Sequence, residues 1–558
     1  MNIKEYITNE INRILNSENN ISVEIPPKNE MGDFCVQCAS LRNENYNNPI
    51  EIANLIKDNF IDNDLMFNRI IVMGPYVNFF LNYNKFNEIV IKDIEEKKET
   101  YGSLNQGKND SLLIEHTSIN PNAEPHIGRC RNSLIGDFMS RLYTFTGYNV
   151  ERHYFINDLG KKIALLLIGI EKYGLKDENF SSILDVYVKI SDDETKDETI
   201  SQKAFYYLER VENGDEEMIE RFKDITDKCV AGQMKIFDDL GIHFDVFTHE
   251  SDYVYNNYLE NILNKLREKD KLREDENGRY YVDLSDYDIP TKEPVLVLTR
   301  SNKTSLYPIK DIAYTIYKIN LNDKNNYIVL GEDQEVYMKQ ISAVMDILGY
   351  KSPKLISYSY VLLEGDKMST SNGTVVLVTD FINEVNKTLL EEFNKRDTQI
   401  DDAKLRILRN ACIKFTMLNV SKNKIVNFNL KNATSFTGES GIYILYSIVR
   451  INSILRNNEA VNLNTKLVFN NEIENTIIKE LYKFPYVIDE LLTSNEASHL
   501  TKYIFNLTQY FSKFYETINI TKEENEELKA SRIRLLLCIK TVLTNALSIL
   551  GIETVDKM

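Results

Sequence analysis

Short apolar runs alternate with helical patterns between about residues 110 and 390, and this alternation constrains the fold of the chain most strongly. Five runs have the composition of buried strands: Leu112–Ile114, Val150–Ile156, Val295–Thr299, Tyr327–Leu330 and Ile356–Leu363. Parallel strands need long crossover connections, which are usually helices, whereas antiparallel strands can be joined by tight turns. The alternation therefore predicts an α/β fold in which a parallel sheet is covered by helices.

The pattern changes on both sides of this region and once inside it. A chain of 558 residues should hold more than one domain, because single cores rarely exceed roughly 250–300 residues. Residues 1 to about 100 mix amphipathic helices with short strands, including two strand-like runs around a Gly-Pro turn in Arg69–Leu81. A charged, mostly helical stretch from about 165 to 290 is predicted to be an insertion. From about residue 400 strand signals end, and the helical periodicity of Gly441–Leu455 and Ile533–Leu550 predicts an all-α bundle.

The composition narrows the class of protein. A hydrophobic fraction of 43% and a charged fraction of 27% are typical of a soluble globular chain. We expect a cytoplasmic protein without membrane association, since no run approaches the ~20 apolar residues of a membrane helix. The formal charge of −18 argues against a protein that binds nucleic acid non-specifically, although local basic patches can still bind one structured RNA. Cys35 and Cys38 form a C-x-x-C pair with no second pair or His cluster at zinc-site spacing, so we expect no structural metal.

Two short polar segments follow two of the predicted strands. Pro125–Gly128, with the sequence Pro-His-Ile-Gly, comes after Leu112–Ile114 and opens a helical pattern that runs to Phe145. Lys367–Ser371, with the sequence Lys-Met-Ser-Thr-Ser, comes after Ile356–Leu363 and precedes another helical pattern. Each segment therefore occupies the loop between a strand and a helix, where parallel sheets commonly bind ligands.

These loops have the chemistry of a nucleotide site. A helix N-terminus offers free backbone N–H groups and the positive end of its dipole to a phosphate. Gly128 lets a nucleotide approach the backbone closely. His126 and Lys367 can supply positive charge where negative charge grows on the phosphates. The two loops together therefore predict a site for a triphosphate.

The two segments resemble the nucleotide-binding motifs of class I aminoacyl-tRNA synthetases. That resemblance implies a Rossmann-like catalytic domain in which ATP, accompanied by Mg²⁺, activates an amino acid that is then passed to the 3′ end of a tRNA. It assigns ATP binding to His126, Gly128, Lys367 and Ser369, and catalysis to His126, Lys367 and Arg129. Neither step needs a protein nucleophile, so positioning and charge neutralisation supply the catalysis. Arg129 stands where the family usually has a second His, and Thr370 where it usually has a second Lys. Arg129 can replace part of the phosphate contact or point to solvent, and the loss at Thr370 is one that arginyl-tRNA synthetases tolerate.

Four further segments resemble arginyl-tRNA synthetases in particular: Ile114–Asn120, Tyr154–Gly160, Tyr307–Tyr314 and Gly331–Gln334. The resemblance assigns arginine binding to Glu115, Asn120, Tyr307, Asp311 and Gln334. The chemistry agrees, because the planar fork of donors on a guanidinium is best read by carboxylates and other oxygen acceptors. Two acidic residues supply charge, two amides supply hydrogen bonds, and the tyrosine packs on the substrate or donates its hydroxyl.

Both ends of the chain extend the resemblance. Residues 23–81 resemble the domain of this family that holds the tRNA elbow, and Asn427–Asn429, Gly441–Tyr446 and the ending Leu550–Met558 resemble its anticodon-binding domain. We therefore predict three domains: a tRNA-elbow-binding α+β domain over 1–100, a catalytic domain over 101–395 and a helical anticodon-binding domain over 396–558. The implied partners are arginine, ATP and tRNA(Arg), and a monomer is expected.

Three alternatives stay open. A class I synthetase for another amino acid would share the nucleotide motifs, but a cysteinyl enzyme needs a zinc site, and the isoleucine, valine and leucine enzymes need a longer chain with an editing insertion. A synthetase-like RNA-binding protein without catalysis would fit Arg129 and Thr370, but not the retained His126 and Lys367. A nucleotidyltransferase of the same superfamily would lack the C-terminal bundle.

Overall fold

The computed structural model describes residues 3–42, 46–254, 258–364 and 376–558. It divides into two compact units. The first contains Met1–Tyr101, Arg450–Phe484 and Leu507–Val542, and the second contains Gly102–Val449, Pro485–Asn506 and Leu543–Met558.

The first unit begins with a small α+β layer. Its elements are α1 (Ile3–Leu15), β1 (Val23–Glu24), β2 (Phe34–Gln37), α2 (Pro49–Asn59), β3 (Phe67–Met73), β4 (Tyr76–Leu81) and α3 (Tyr83–Lys97). The strands form an antiparallel sheet in the order β1-β2-β4-β3. Gly74, at a φ of +58°, makes the predicted turn between β3 and β4, because a left-handed backbone is least strained at glycine.

The second unit is built on a parallel sheet. Its first elements are β5 (Ser111–Glu115), α4 (Ile127–Phe145), β6 (Asn149–Ile156), α5 (Lys161–Tyr173), α6 (Phe180–Lys196), α7 (Glu198–Glu212), α8 (Glu216–Asp239), β7 (Val246–His249), α9 (Ser251–Val254), α10 (Tyr258–Glu268), β8 (Leu272–Glu274), β9 (Tyr280–Asp283), β10 (Val295–Val297), α11 (Tyr307–Leu321), β11 (Asn326–Gly331), α12 (Glu335–Leu348), β12 (Lys354–Tyr358) and β13 (Val361–Glu364). Five strands pair in parallel in the order β12-β11-β5-β6-β7. The predicted α/β fold with crossover helices is therefore confirmed.

Helices dominate the chain beyond residue 376. The elements there are α13 (Val378–Asn394), α14 (Asp402–Leu418), β14 (Val426–Asn429), α15 (Leu430–Ala433), α16 (Gly441–Arg456), α17 (Glu472–Ser494), α18 (Ala497–Thr517) and α19 (Glu526–Ile549). The predicted helical character is confirmed, but the prediction that strands end near residue 400 is wrong. Strand β14 pairs in parallel with β13, and its partner could not be read from a short isolated run.

Three other strand predictions need correction. Val295–Thr299 does not join the parallel sheet, because β10 pairs antiparallel with β9 in a separate sheet of order β10-β9-β8. Ile356–Leu363 is two strands in different sheets, β12 and β13. The stretch predicted as a helical insertion contains the fifth parallel strand, β7, which is only four residues long. Strand pairing depends on residues far apart in the sequence, so the local pattern of each run did not show which sheet it joins.

The helices α5 to α8 have an apolar core of their own, formed by residues such as Ile163, Leu166, Ile190 and Phe222. The insertion is therefore a packed helical layer rather than a loop. No helix in the described ranges is both long and apolar enough to span a membrane. All six cysteines are buried and unpaired.

Candidate active site

Four parallel strands bring predicted and unpredicted polar residues to one edge of the sheet. Glu115 is the last residue of β5, Gln334 follows β11, Asp158 follows β6 and Glu250 follows β7. Ligands of α/β sheets bind at the carboxyl ends of the strands, where the loops converge. The edge formed by these residues is therefore the candidate active site.

His126 begins helix α4 as its N-cap. Its Nδ1 accepts a hydrogen bond from the backbone N–H of Gly128 at 3.2 Å, so the ring proton of the neutral imidazole lies on Nε2. Burial, and then the charge of Arg129, lower the pKa of His126. The lowered pKa favours a neutral imidazole that can donate a hydrogen bond from Nε2–H, and the positive charge expected of His126 stays a prediction.

Arg129 places a positive charge close to His126. It lies in the first turn of α4 and is partly exposed. Burial raises the pKa values of Tyr154 and Tyr358, and the positive charge of Arg129 opposes part of that rise. Within the described ranges, the guanidinium of Arg129 has no ion pair or hydrogen bond. An unpaired cation at a helix N-terminus is well placed for an anionic ligand.

The second motif, with Lys367 and Ser369, lies outside the described residues. The chain after it is attached to the first motif. The backbone N–H of Ile127 donates to the carbonyl of Val376 at 3.0 Å, and Val378 N–H donates to the carbonyl of Pro125 at 2.8 Å. The hydroxyl of Thr379 also bonds to the carboxylate of Glu124. These bonds tie the start of α13 to the loop that carries His126.

Arg131 bonds to the backbone of Ser359, which precedes the second motif in the chain. Its buried guanidinium donates to the carbonyls of Ser359 at 2.6 Å, Lys424 at 2.7 Å and Ser421 at 2.9 Å. Burial lowers the pKa of Arg131 to about 10, so the group stays charged at neutral pH. One side chain of α4 therefore connects the loop between β12 and β13 to the loop before β14.

The loop between β5 and α4 is strained. Thr117 and Ser118 have φ values of +72° and +42°, a region that costs a β-branched residue of order 1–3 kcal/mol. Helix α4 compensates, because the Thr117 backbone N–H donates to Asn132 Oδ1 at 2.6 Å and the Thr117 hydroxyl donates to Ser133 at 2.8 Å. The helix approaches so closely that a Cβ at Gly136 would lie 2.2 Å from the ring of His116. This packing explains a glycine inside α4.

Two residues predicted to bind arginine lie one turn apart on α11. The hydroxyl of Tyr337, on α12, donates to the carboxylate of Asp311, and the Tyr337 ring lies 5.4 Å from that of Tyr307. Burial raises the pKa of Asp311 to about 6, and the charge of Glu115 adds to this effect. Within the described residues Asp311 has no ion pair, so its carboxylate is available to a cationic ligand.

Glu115 differs from Asp311 because it already has a cationic partner. Its carboxylate pairs with the ammonium of Lys318, from α11, and both side chains are buried. Ser118 also donates to Glu115 Oε1 at 3.3 Å. Sequence reasoning treated Glu115 as a free charge, but a ligand must share it with Lys318.

A cavity of about 250 Å³ collects part of this set, with Asn120, Tyr307, Glu250 and Lys310 among its lining residues. Glu250 lies 3.2 Å from Lys310, and burial raises the pKa of Glu250 to about 7. Among the residues described, Glu115, Asp311 and Gln334 do not line this cavity. The side-chain amide of Gln334 donates to the carboxylate of Asp333 at 2.7 Å. A larger depression of about 600 Å³ lies at the opposite, amino ends of β5 and β11 and contains none of the predicted residues.

Glu250, Lys310 and Tyr337 were missed by sequence reasoning. Glu250 could have been found if the short strand β7 had been recognised, because it directly follows that strand. Lys310 adjoins Asp311 within the Tyr307–Tyr314 segment, but its role depends on Glu250. Tyr337 had no sequence signal, since it lies in an ordinary helical pattern.

Three protein-family models match this chain, and together they define its class. The family described as "tRNA synthetases class I (R), catalytic domain" matches residues 90–431. "Arginyl tRNA synthetase N terminal domain" matches residues 1–81, and "DALR anticodon binding domain" matches residues 444–558.

Individual relatives are consistent with those matches. The chain is 32% identical to the arginine–tRNA ligase of Methanocaldococcus jannaschii, with 100% of both chains covered. It is 30% identical to that of Methanococcus aeolicus, with 96% of both covered. This chain belongs to the arginyl-tRNA synthetase family.

Solved structures share the fold. The arginyl-tRNA synthetase of Thermus thermophilus superposes with a TM-score of 0.81 at 22% identity, with 100% of both chains covered. That of Plasmodium falciparum superposes with a TM-score of 0.78 at 20% identity, covering 100% of this chain and 98% of the other.

Proposed function

We propose that this chain is an arginine–tRNA ligase. In the first step a carboxylate oxygen of arginine attacks the α-phosphorus of ATP, and pyrophosphate leaves. In the second step a ribose hydroxyl at the 3′ end of tRNA(Arg) attacks the carbonyl carbon of the adenylate, and AMP leaves. The observation that carries the proposal is that one edge of the sheet holds groups suited to two ligands. The N–H of His126 and the cation of Arg129 suit the phosphates of ATP, and the carboxylates around Asp311 suit a guanidinium.

The test is to charge total tRNA with each labelled amino acid in turn. We expect arginine alone to be attached. Arginine-dependent ATP–pyrophosphate exchange should be measured with and without tRNA, because activation in this family usually depends on bound tRNA. Charging with another amino acid, or no charging at all, would contradict the proposal.

The phosphates of ATP are proposed to lie at the N-terminus of α4. His126 Nε2–H donates a hydrogen bond there, Gly128 has no side chain and so lets the nucleotide approach closely, and Arg129 stabilises the charge that develops on the leaving pyrophosphate. Lys367 and Ser369, which lie outside the described residues, are proposed to complete the site because the chain after them is bonded to Pro125–Ile127. Mg²⁺ would arrive with ATP as part of the substrate.

Arg129 is the residue where this chain departs from the family's usual motif, and we expect it to act on phosphate. Arg129→Ala should reduce arginine activation roughly 10- to 1,000-fold, the range for losing one charge-stabilising donor. Arg129→His, which restores the residue usual in the family, should keep much of the activity. The measurement is tRNA-supported ATP–pyrophosphate exchange. A parental rate for Arg129→Ala would leave the phosphate contacts to His126 and Lys367.

Arginine is proposed to bind between β5, α11 and β11. Asp311 and Glu115 accept hydrogen bonds from the cationic groups of the substrate, Asn120 and Gln334 supply amide contacts, and Tyr307 packs on the side chain. The support for this arrangement is the unpaired carboxylate of Asp311 and the cavity that Asn120 and Tyr307 share.

The raised pKa of Asp311 predicts a pH dependence. Asp311 must be ionised to pair with a guanidinium, and burial raises its pKa to about 6. The value of kcat/KM for arginine, which reports the free enzyme, should therefore fall as the pH drops through about 6, approaching about tenfold per pH unit below it. The control is kcat/KM for ATP at saturating arginine, where the bound cation keeps Asp311 ionised. Equal pH profiles for the two substrates would contradict the assignment.

The remaining partners follow from the whole chain. We propose that residues 1–100 hold the tRNA elbow, that residues 101–395 catalyse both steps and that residues 396–558 bind the anticodon stem and loop. The family matches at residues 1–81 and 444–558 support the two RNA-binding assignments. A cytoplasmic monomer is proposed, and sedimentation of the chain with and without tRNA(Arg) tests the monomer.

A further inference from the structure

Gln233 connects the helical insertion to the loop of the proposed arginine site. It lies on α8, seven residues after Thr226, and its side chain is completely buried. The earlier part of α8 packs into the insertion core through Phe222, Ile225 and Cys229. The position of Gln233 is therefore set by the insertion.

The side-chain amide of Gln233 is fully used. Its Oε1 accepts from the hydroxyl of Tyr154 at 2.8 Å, and its Nε2 donates to the carbonyls of Asn120 at 3.0 Å and Ala123 at 2.8 Å. The same tyrosine hydroxyl accepts from the backbone N–H of Ile119 at 3.2 Å. Tyr154 and Gln233 together bond three backbone groups along residues 119–123, and the Asn120 carbonyl also accepts from the backbone N–H of Ala123 at 3.1 Å.

The loop needs this support. It begins at the strained Thr117 and Ser118, and such conformations persist only when surrounding contacts over-determine them. Helix α4 holds the strained end through Asn132, as described above. Asn120 itself is exposed and lines the cavity next to Tyr307. The backbone bonds of Gln233 are what fix this residue from the side of the insertion.

We propose that Gln233 is a positioning residue for the amino-acid site: by holding the backbone of residues 120–123 it aims Asn120 at the substrate, so the helical insertion takes part in the selection of arginine. This inference rests on the proposed function. It adds a residue that touches no substrate and acts through Asn120.

Two substitutions at Gln233 remove its amide group while keeping a side chain of similar size. Gln233→Glu keeps an acceptor for Tyr154 but turns a second oxygen towards two carbonyl oxygens, and Gln233→Leu removes all polar contacts. We expect either change to raise KM for arginine roughly 10- to 100-fold while KM for ATP stays within about threefold. Tyr154→Phe removes the hydroxyl while keeping the ring, and should shift the arginine KM in the same direction.

Thr226→Val is the matched control, because Thr226 is equally buried on α8 and its hydroxyl has no partner among the described residues. Its kinetics should match the parent. Thermal melting of every variant identifies any that fail to fold. If the Gln233 variants do not fold, the arginine KM of Tyr154→Phe tests the positioning role instead.

An unchanged arginine KM in folded variants, or an equal rise in both KM values, would overturn the positioning role. Absence of arginine-dependent exchange in the parent chain would instead contradict the proposed function.

Discussion

Replacing Asp311 with alanine should cost the chain most of its use of arginine. A guanidinium left partly unpaired in a desolvated pocket loses about 2–4 kcal/mol, so kcat/KM for arginine should fall roughly 30- to 1,000-fold. KM for ATP should change far less, because the proposed phosphate contacts lie on α4. The measurement is tRNA-supported ATP–pyrophosphate exchange with each substrate varied in turn. Arginine kinetics within a few-fold of the parent would show that the site is assigned wrongly.

The substitution Asp311→Asn distinguishes an effect on arginine binding from an effect on the stability of the fold. The pKa of Asp311 is raised in the folded chain, so above that pKa the ionised carboxylate destabilises the fold relative to a neutral group. Asn keeps an acceptor for Tyr337 and removes that cost. We therefore expect Asp311→Asn to melt at or above the parental temperature while losing arginine activation. Tyr337→Phe, which removes the hydroxyl that donates to Asp311, is the matched control and should have the smaller kinetic effect.

Replacing Arg131 with lysine should nearly stop adenylate formation. Lysine keeps the charge but loses the planar fork that reaches Ser359, Ser421 and Lys424 at once. We expect turnover to fall roughly 100-fold or more, since misplacing reacting groups by about 1 Å can cost that much. The buried Ser359 carbonyl, if left unpaired, should also destabilise the fold by about 1–3 kcal/mol, which thermal melting would detect.

Arg141→Lys is the matched control for Arg131→Lys. Arg141 also lies on α4 but is partly exposed and pairs with Asp137 of the same helix. We expect its effect on exchange to be small. If Arg131→Lys kept the parental exchange rate, the carbonyl contacts would stabilise the fold without positioning the nucleotide motifs.

Several elements could be predicted because their signals are local. Strand β5, helix α4 and strand β6 follow the apolar periodicity of their own residues, and each lies within a few residues of its predicted bounds. The loop before α4 was predicted to face a ligand because a short motif follows a strand and opens a helix. Tyr307 and Asp311 are four residues apart, so a helical pattern alone places them on one face.

Local sequence patterns are enough to predict which residue types reach the carboxyl edge of the sheet and which class of chemistry they suit. Their partners depend on the three-dimensional fold: Lys318 for Glu115, Lys310 for Glu250 and Tyr337 for Asp311. The burial that lowers the pKa of His126 depends on the fold in the same way. The pairing of β10 and β14 outside the parallel sheet also depends on the fold. The physical reason is that periodicity depends on neighbours in the chain, whereas pairing, burial and pKa depend on residues brought together from far apart in the sequence.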